Sequence, residues 1–188
     1  MENGLGSRPV VAVFGAARLA PERPAFRMAL ALGGAIARRG WTLACGGYGG
    51  AMEAASRGAA EAGGRTVGVT CDTLDRAGRR ANPWIREEIR RPTARERLMT
   101  LVRMADAAVA MDGGIGTLSE IAFFASQIQT GEISPRPLVL LGNVWRNTFA
   151  SFIKSAGDYL TDADRSMFIF CPSIDTAVAA IQNRLTTT

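Results

Sequence analysis

The sequence predicts an α/β fold: a doubly wound parallel sheet with helices on both faces. Short apolar runs such as Val10–Phe14 alternate with helical patterns along most of the chain. Glycine turns follow three of these runs, beginning at Gly15, Gly46 and Gly113. Strands that alternate with helices through short turns form parallel sheets covered on both faces, and their ligands bind at the carboxyl ends of the strands.

Strands and helices alternate regularly in the N-terminal part of the chain. Strands are predicted at Val10–Phe14, at Thr42–Cys45 and at residues 65–70, and helices at residues 22–39 and 51–62. The strands are short apolar runs, whereas the helices carry apolar residues at helical spacing. Gly40 and Gly63 follow the two helices, as expected where a helix ends.

An arginine-rich connection over residues 71–92 interrupts this alternation. Its basic residues are Arg76, Arg79, Arg80, Arg86, Arg90 and Arg91. Asp75, Glu87 and Glu88 are interleaved with them. Long connections in α/β domains often serve as lids or binding segments, but a solvated surface of mixed charge explains this composition equally well.

The alternation resumes after this connection and continues to residue 185. Strands are predicted at residues 107–111, 137–141 and 167–170, and helices around Arg97, from Thr117 to about residue 129, around Trp145 and at residues 173–185. No repeat or linker is visible, so we predict one domain over residues 9–186 and a flexible N-terminus over residues 1–8. The helix from Thr117 is apolar on several sides, which predicts that a second subunit of a homodimer or larger homo-oligomer covers it.

The composition excludes several kinds of chemistry. The 188 residues include no histidine, one lysine (Lys154) and three widely separated cysteines. Histidine-based nucleophile pairs are therefore excluded, a lysine Schiff base is not expected, and neither a disulfide framework nor a metal site is indicated. Acid–base chemistry at neutral pH falls to carboxylates. The net charge of +5 favours an anionic ligand.

The sequence gives no indication of membrane insertion or secretion. No apolar run approaches the roughly 20 residues that a spanning helix needs. The N-terminus lacks a basic segment followed by an apolar core. We therefore expect a cytoplasmic protein that does not associate with membranes.

The stretch from Arg97 to Glu120 carries the strongest functional signal. An apolar run ends in Asp112 and a glycine turn, and a helix begins again at Thr117. Unpaired N–H groups at such a helix start bind anions, and Glu120 places a carboxylate beside them. The turns lack the Walker A ending and the dinucleotide-binding spacing. Their predicted phosphate or substrate contacts are Gly15, Ala16, Gly46, Gly47, Gly113, Gly114, Ile115, Gly116 and Thr117.

Purely structural roles also fit the two charged residues of this stretch. Thr117 and Glu120 match a capping box, in which the glutamate bonds back to the N-cap backbone. Arg97 is equally compatible with a surface ion pair to Glu96 or Glu88. Spacing alone does not separate these roles from catalysis.

The motifs together resemble one known family. Arg97, followed by the run ADAAVAMDGGIGTLSE, is similar to the arginine helix and the Pro-Gly-Gly-x-Gly-Thr-x-x-Glu turn of the Lonely Guy family of cytokinin-activating phosphoribohydrolases. VFGAAR, which ends at Arg18, and GGYGGAMEAASRGAAEAGG, which starts at Gly46, are similar to that family's first two glycine turns. The matches span about residues 10–141. Members are often mislabelled lysine decarboxylases, an activity that a single lysine disfavours.

The resemblance implies a Rossmann-like homodimer that hydrolyses the N-glycosidic bond of a nucleoside 5′-monophosphate. The products are a free base and ribose 5-phosphate, and neither a metal nor a redox cofactor is required. By position, Arg97 and Glu120 match the family's catalytic pair, and Gly113, Gly114, Gly116 and Thr117 match its phosphate loop. A carboxylate suits this reaction because positive charge develops on the ribose, as in glycosidases.

Three residues depart from the family pattern. Asp112 occupies the position of a usual proline, Leu98 that of a frequent lysine, and Ala16 that of a common serine. Each change is expected to weaken or redirect the binding of phosphate or base.

These departures keep two other functions open. Related Rossmann-like folds resemble those of molybdenum-cofactor carriers, which hold a phosphate-bearing pterin in similar glycine turns. A non-catalytic carrier of a nucleotide or pterin is therefore the main alternative to the enzyme. Nucleic-acid binding through residues 76–91 ranks last, because acidic residues are interleaved with the arginines and no aromatic-rich basic face is present.

Overall fold

The computed structural model describes residues 8–186 and contains a seven-stranded parallel sheet. Its strands are β1 Val10–Phe14, β2 Thr42–Cys45, β3 Thr66–Cys71, β4 Glu87–Arg91, β5 Ala107–Ala110, β6 Leu138–Leu141 and β7 Phe168–Cys171. The strand order is β4-β3-β2-β1-β5-β6-β7, and every neighbouring pair is parallel. The flexible terminus predicted at residues 1–8 lies outside the described residues except for Arg8.

Helices cover both faces of the sheet. They are α1 Pro24–Arg38, α2 Ala51–Glu61, α3 Asp72–Arg76, α4 Ala94–Met104, α5 Ile115–Gln129, α6 Asn143–Ala156, α7 Asp162–Ser166 and α8 Ile174–Leu185, with a short 3-10 helix at Gly157–Tyr159. Val11 and Val13 of β1 pack in one core cluster with α1, α2 and α8. Val10, Ala12 and Phe14 pack in a second cluster with α4, α5 and α6. The predicted doubly wound α/β fold is therefore confirmed.

Residues 71–92 hold more regular structure than the sequence predicts. They contain α3 and the edge strand β4, in which only Ile89 is apolar. Because β4 lacks both an apolar run and a regular polar–apolar alternation, the pattern gave no strand signal there. Charged side chains are common on edge strands, since they discourage pairing with another chain. Arg65, directly before β3, forms an ion pair with Glu87 on β4.

Helices α1 and α2 meet through two glycines. A Cβ atom on Gly33 would lie 1.9 Å from the carbonyl oxygen of Ala55, and a Cβ on Gly58 would lie 1.9 Å from that of Leu30. Each obstacle is backbone, so it cannot move aside like a side chain. The two backbones therefore touch, and any larger residue at either site must separate the helices.

Gly33→Ala is expected to lower the free energy of unfolding by about 3 kcal/mol, because overpacking against rigid backbone forces a shift of α1. Gly34→Ala is the matched control, since its Cβ would meet mainly the mobile end of Arg38, at 3.0 Å. In a helix interior the alanine should be neutral or stabilising there. Urea denaturation of both variants measures the difference, and equal midpoints would show that the helices do not depend on this contact.

Within residues 8–186, none of the helices combines the length and apolar character that crossing a membrane requires.

Candidate functional site

The site lies where the strand order reverses. From β1 the chain winds outward through β2 and β3, whereas from β5 it winds the other way through β6 and β7. Ligands bind beyond the carboxyl ends of the strands at such a point. Backbone hydrogen bonds join the loops there, because Ala16 donates to Asp112 over 3.2 Å and Ala51 donates to Ala16 over 2.8 Å.

A cavity of about 790 Å³ opens at this edge of the sheet. It is lined by Gly15, Ala16, Ala17, Arg18, Met52, Leu74, Arg79, Arg97, Gly114, Ile115, Gly116, Thr117 and Glu120. The structure thus brings both predicted catalytic residues and six of the nine predicted binding residues to one place. Gly46, Gly47 and Gly113 do not line the cavity. Gly113 is packed against Thr117, since a Cβ there would lie 2.2 Å from the threonine Oγ1.

Helix α5 presents its N-terminus to the cavity. It begins at Ile115, and its N-cap residue is Gly114, so no side chain caps the first N–H groups. Apart from chain neighbours and the backbone of α5, no atom of residues 8–186 lies within 4 Å of a Cβ built on Gly114 or Gly116, so the approach to these groups is open. Uncapped N–H groups at a helix N-terminus bind phosphate oxygens.

The capping-box interpretation of Glu120 is wrong. Thr117 is the third residue of α5 and not its N-cap, so Glu120 lies in the second turn of the helix. Gly113 and Gly114 allow the helix to start two residues earlier than the pattern suggested. Glu120 is therefore free of a capping role and lines the cavity.

The surface interpretation of Arg97 is also wrong. Its two expected partners bond elsewhere, Glu96 to Thr93 in a capping box at the start of α4 and Glu88 to Thr70. Arg97 is only 8% exposed. Burial of an arginine is costly unless its donors are satisfied, so its contacts in the protein determine its role.

Three contacts fix the Arg97 guanidinium beneath the cavity. Its Nε donates to the carbonyl oxygen of Val69 over 2.7 Å. Its Cζ lies 5.5 Å from the centre of the Tyr48 ring, and its Nη2 lies 3.9 Å from Met52 Sδ. Arg97 Nη2 also occupies the space that a side chain at position 46 would need, since a Cβ built on Gly46 would lie 1.5 Å from it.

Glu120 has an unusually high affinity for its proton. Burial raises the pKa of Glu120 to about 7, and the nearby positive charge of Arg97 opposes this rise in part. Glu120 as a whole is half-buried and lines the cavity. Among the described residues Arg97 and Glu120 form no direct ion pair, so both keep polar atoms for a ligand. A carboxyl group that titrates near neutral pH suits acid–base or nucleophilic chemistry.

Sequence reasoning missed five residues of the cavity wall, the first of which is Ala17 in the turn after β1. Met52 and Leu74 supply apolar surface, and Arg18 and Arg79 supply charge. Arg18 follows the first glycine turn directly, so its position was a usable signal. Arg79 belongs to the connection whose path the sequence did not reveal.

The three departures from the family pattern have different structural consequences. Asp112 turns away from the cavity, since its Oδ1 lies 3.0 Å from a Cβ built on Gly142, at the start of α6. Among the described residues this oxygen is buried without a hydrogen-bond partner, although a negative charge near a helix N-terminus is favourable. Leu98 packs against the second core cluster. Ala16 alone lines the cavity, where it lacks a hydroxyl.

The fold and this cavity define a Rossmann-like α/β protein with an arginine-lined cavity at the carboxyl edge of its sheet. A family model described as SLOG cluster4 matches residues 8–157. The chain belongs to this family, which confirms the resemblance inferred from the glycine turns.

Similar proteins point to two kinds of function. Cytokinin riboside 5′-monophosphate phosphoribohydrolase from Rhodococcoides fascians is 30% identical over 84% of this chain and 81% of its own length. A protein of the same name from Mycobacterium marinum is 40% identical over 61% of this chain and 60% of its own length. The solved structure of the molybdenum cofactor carrier protein from Chlamydomonas reinhardtii has a TM-score of 0.72 at 26% identity, covering 95% of this chain and 99% of that one.

Proposed function

We propose that the protein hydrolyses the N-glycosidic bond of a nucleoside 5′-monophosphate and releases a free base and ribose 5-phosphate. The main observation in support of this proposal is that Arg97, Glu120 and the uncapped start of α5 line one cavity. The names of the two phosphoribohydrolase relatives support this choice of reaction.

In this proposal each group has a separate task. The N–H groups at the start of α5 bind the 5′-phosphate. The Arg97 fork binds and orients a phosphate or ribose oxygen without losing its charge. Glu120 faces the ribose, where its carboxylate stabilises the positive charge that develops as the C1′–N bond breaks, attacks C1′, or activates a water molecule.

The rate is expected to rise with pH through about 7. Each of these tasks for Glu120 uses the ionised carboxylate, and the pKa of Glu120 is raised to about 7. At lower pH the carboxyl group is protonated, so kcat/KM should fall about tenfold per unit well below the pKa and level off above it. The measurement is the pH profile of kcat/KM from pH 5 to 9.

The phosphate of the substrate titrates near pH 6 and could distort this profile. Binding of the nucleotide to Glu120→Gln over the same pH range isolates that contribution. A rate that falls between pH 6 and 8 would instead assign Glu120 the role of a proton donor.

The reaction itself is tested by product analysis. The purified chain is incubated with AMP, GMP, CMP, UMP and a prenylated AMP, and free base and ribose 5-phosphate are quantified by chromatography. Release from at least one nucleotide, with equal amounts of both products, is expected. If the folded protein releases base from none of them, the hydrolase proposal fails.

A second candidate function is that of a non-catalytic carrier for a phosphate-bearing pterin such as the molybdenum cofactor. The similarity to the Chlamydomonas carrier protein favours it, because it extends over 95% of this chain. In a carrier the cargo must leave unchanged. Recovery of intact nucleotide or pterin after hours of incubation, together with tight binding, would support this function over hydrolysis.

The proposal includes a homodimer or larger homo-oligomer located in the cytoplasm, with a small-molecule nucleotide as its ligand. The partly exposed Leu118 and Phe123 on α5 and the 49% exposed Phe152 on α6 support assembly, because they leave apolar surface uncovered. Light scattering after size-exclusion chromatography tests it, and a monomer would contradict it.

A further inference from the structure

The cavity carries more positive charge than the predicted pair accounts for. Its ionisable lining residues are Arg18, Arg79, Arg97 and Glu120. With Glu120 ionised, three positive charges face one negative charge. This excess matches a phosphate monoester dianion and exceeds what a neutral nucleoside requires.

Two of these arginines have no acidic partner within residues 8–186. No ion pair or side-chain hydrogen bond engages the guanidinium of Arg18 or Arg79, whereas Arg90 on the same segment is paired with Asp72 and Asp75. Arg80 donates to the carbonyl oxygens of Asp75 and Arg79. Unlike these neighbours, Arg79 is free to contact a ligand.

The backbone of Arg79 is anchored on both sides. Its N–H donates to the carbonyl oxygen of Leu74 over 3.2 Å. Three residues further on, the buried Asn82 side chain donates to the carbonyl oxygens of Gly47 and Tyr48 over 3.1 Å and 2.9 Å. The loop is thus tied to the turn that follows β2, so Arg79 holds a defined place although its side chain is exposed.

The Tyr48 ring holds two guanidinium groups at the site. Arg79 Cζ lies 6.0 Å from the ring centre and Arg97 Cζ lies 5.5 Å from it. The ring itself is buried, and its hydroxyl accepts from the Cys71 N–H over 2.8 Å and donates to Asp75 over 3.0 Å. Two positive charges beside one ring repel each other, and an anion bound between them would offset that repulsion.

We propose that Arg79 is a substrate-binding residue that contacts the phosphate monoester of the ligand, and that Tyr48 positions it beside Arg97. This inference deepens the proposed function and rests on it for the identity of the ligand as a ribose 5-phosphate ester. Arg79 supplies charge and a planar donor fork, while the N-terminus of α5 supplies backbone donors to the same group.

The test measures binding of ribose 5-phosphate and of ribose to the full chain by calorimetry. Ribose 5-phosphate is chosen because it lacks a base and is not hydrolysed in the proposed reaction. Arg79→Ala is expected to weaken its binding about tenfold to hundredfold, as for loss of a charge-assisted hydrogen bond, and to leave ribose binding unchanged. Arg79→Lys should give an intermediate loss, because lysine keeps the charge but not the fork.

Arg76→Ala is the matched control. Arg76 is an exposed arginine three residues away and lines a separate cavity of about 540 Å³. Its removal changes the net charge equally and should alter binding by less than about twofold, since exposed charges contribute little. Equal losses of affinity in both variants would show that only the overall charge matters, and would overturn the proposal. A wild-type chain that does not bind ribose 5-phosphate would also overturn it.

The role of Tyr48 is tested with a double-mutant cycle. In a Tyr48→Leu background with a cooperative thermal transition, Arg79→Ala should weaken binding less than in the wild type, because the ring no longer positions the guanidinium. Additive losses would overturn this positioning role. If the protein releases no base but its affinity for ribose 5-phosphate depends on Arg79, the hydrolase proposal fails while the proposal that Arg79 binds phosphate stands.

Discussion

Glu120→Gln is expected to abolish base release while nucleotide binding persists. Glutamine has nearly the same shape as glutamate but cannot ionise, so it can neither stabilise the ribose cation nor attack or activate water. We expect kcat to fall about 10²- to 10⁴-fold. The carboxyl group caps no helix in this structure, so the loss should not arise from unfolding. Single-turnover rates and calorimetric nucleotide affinity, measured on the same preparation, separate the two effects.

The same variant is expected to be more stable than the wild type at pH 8. The pKa of Glu120 is about 7 in the folded chain, whereas an unfolded glutamate titrates near 4.3. Between these values the folded state binds more protons, so wild-type stability falls as pH rises. Glutamine removes that cost, which is at most about 4 kcal/mol. The difference in melting temperature should therefore grow from pH 4.5 to 8, and a constant difference would show that burial does not raise the pKa.

The sequence predicted the sheet and its ligand edge because their signals are local. A strand such as Val10–Phe14 is a short apolar run, and the glycines that follow it are needed for the turn. Since the carboxyl ends of parallel strands share one edge, Gly15 and Gly114 had to lie near each other. Arg97 and Glu120 could be placed at that edge only with the help of the family resemblance.

The features that the sequence did not reveal depend on distant contacts. Strand β4 forms because an edge position accepts the charged sequence EEIRR. The start of α5 at Ile115 depends on how Gly113 packs against Thr117, and a capping-box pattern concealed it. Arg79 reaches the cavity because Asn82 ties its loop to the turn after β2. Each case involves partners that spacing along the chain does not identify.

Gly46→Ala is expected to reduce kcat/KM about a hundredfold, although residue 46 itself does not contact the ligand. A Cβ atom at this position would lie 1.5 Å from Arg97 Nη2 and 2.7 Å from both Arg97 Cζ and Met52 Sδ. The guanidinium must therefore leave the place that Val69 and Tyr48 define, and a shift of about 1 Å at a reacting group can cost this much. The measurement is kcat/KM for the best nucleotide.

Gly49→Ala provides the matched control for this substitution. Gly49 belongs to the same turn, but the nearest atoms to its Cβ are Glu53 Oε2 at 3.7 Å and the Ala17 carbonyl oxygen at 3.8 Å, both ordinary contacts. Its activity should stay within about twofold of wild type, as for a surface change away from special features. In an Arg97→Ala background, Gly46→Ala should add little, because the displaced group is already absent. If it still costs a hundredfold there, Gly46 acts on the site through the turn itself and not through Arg97.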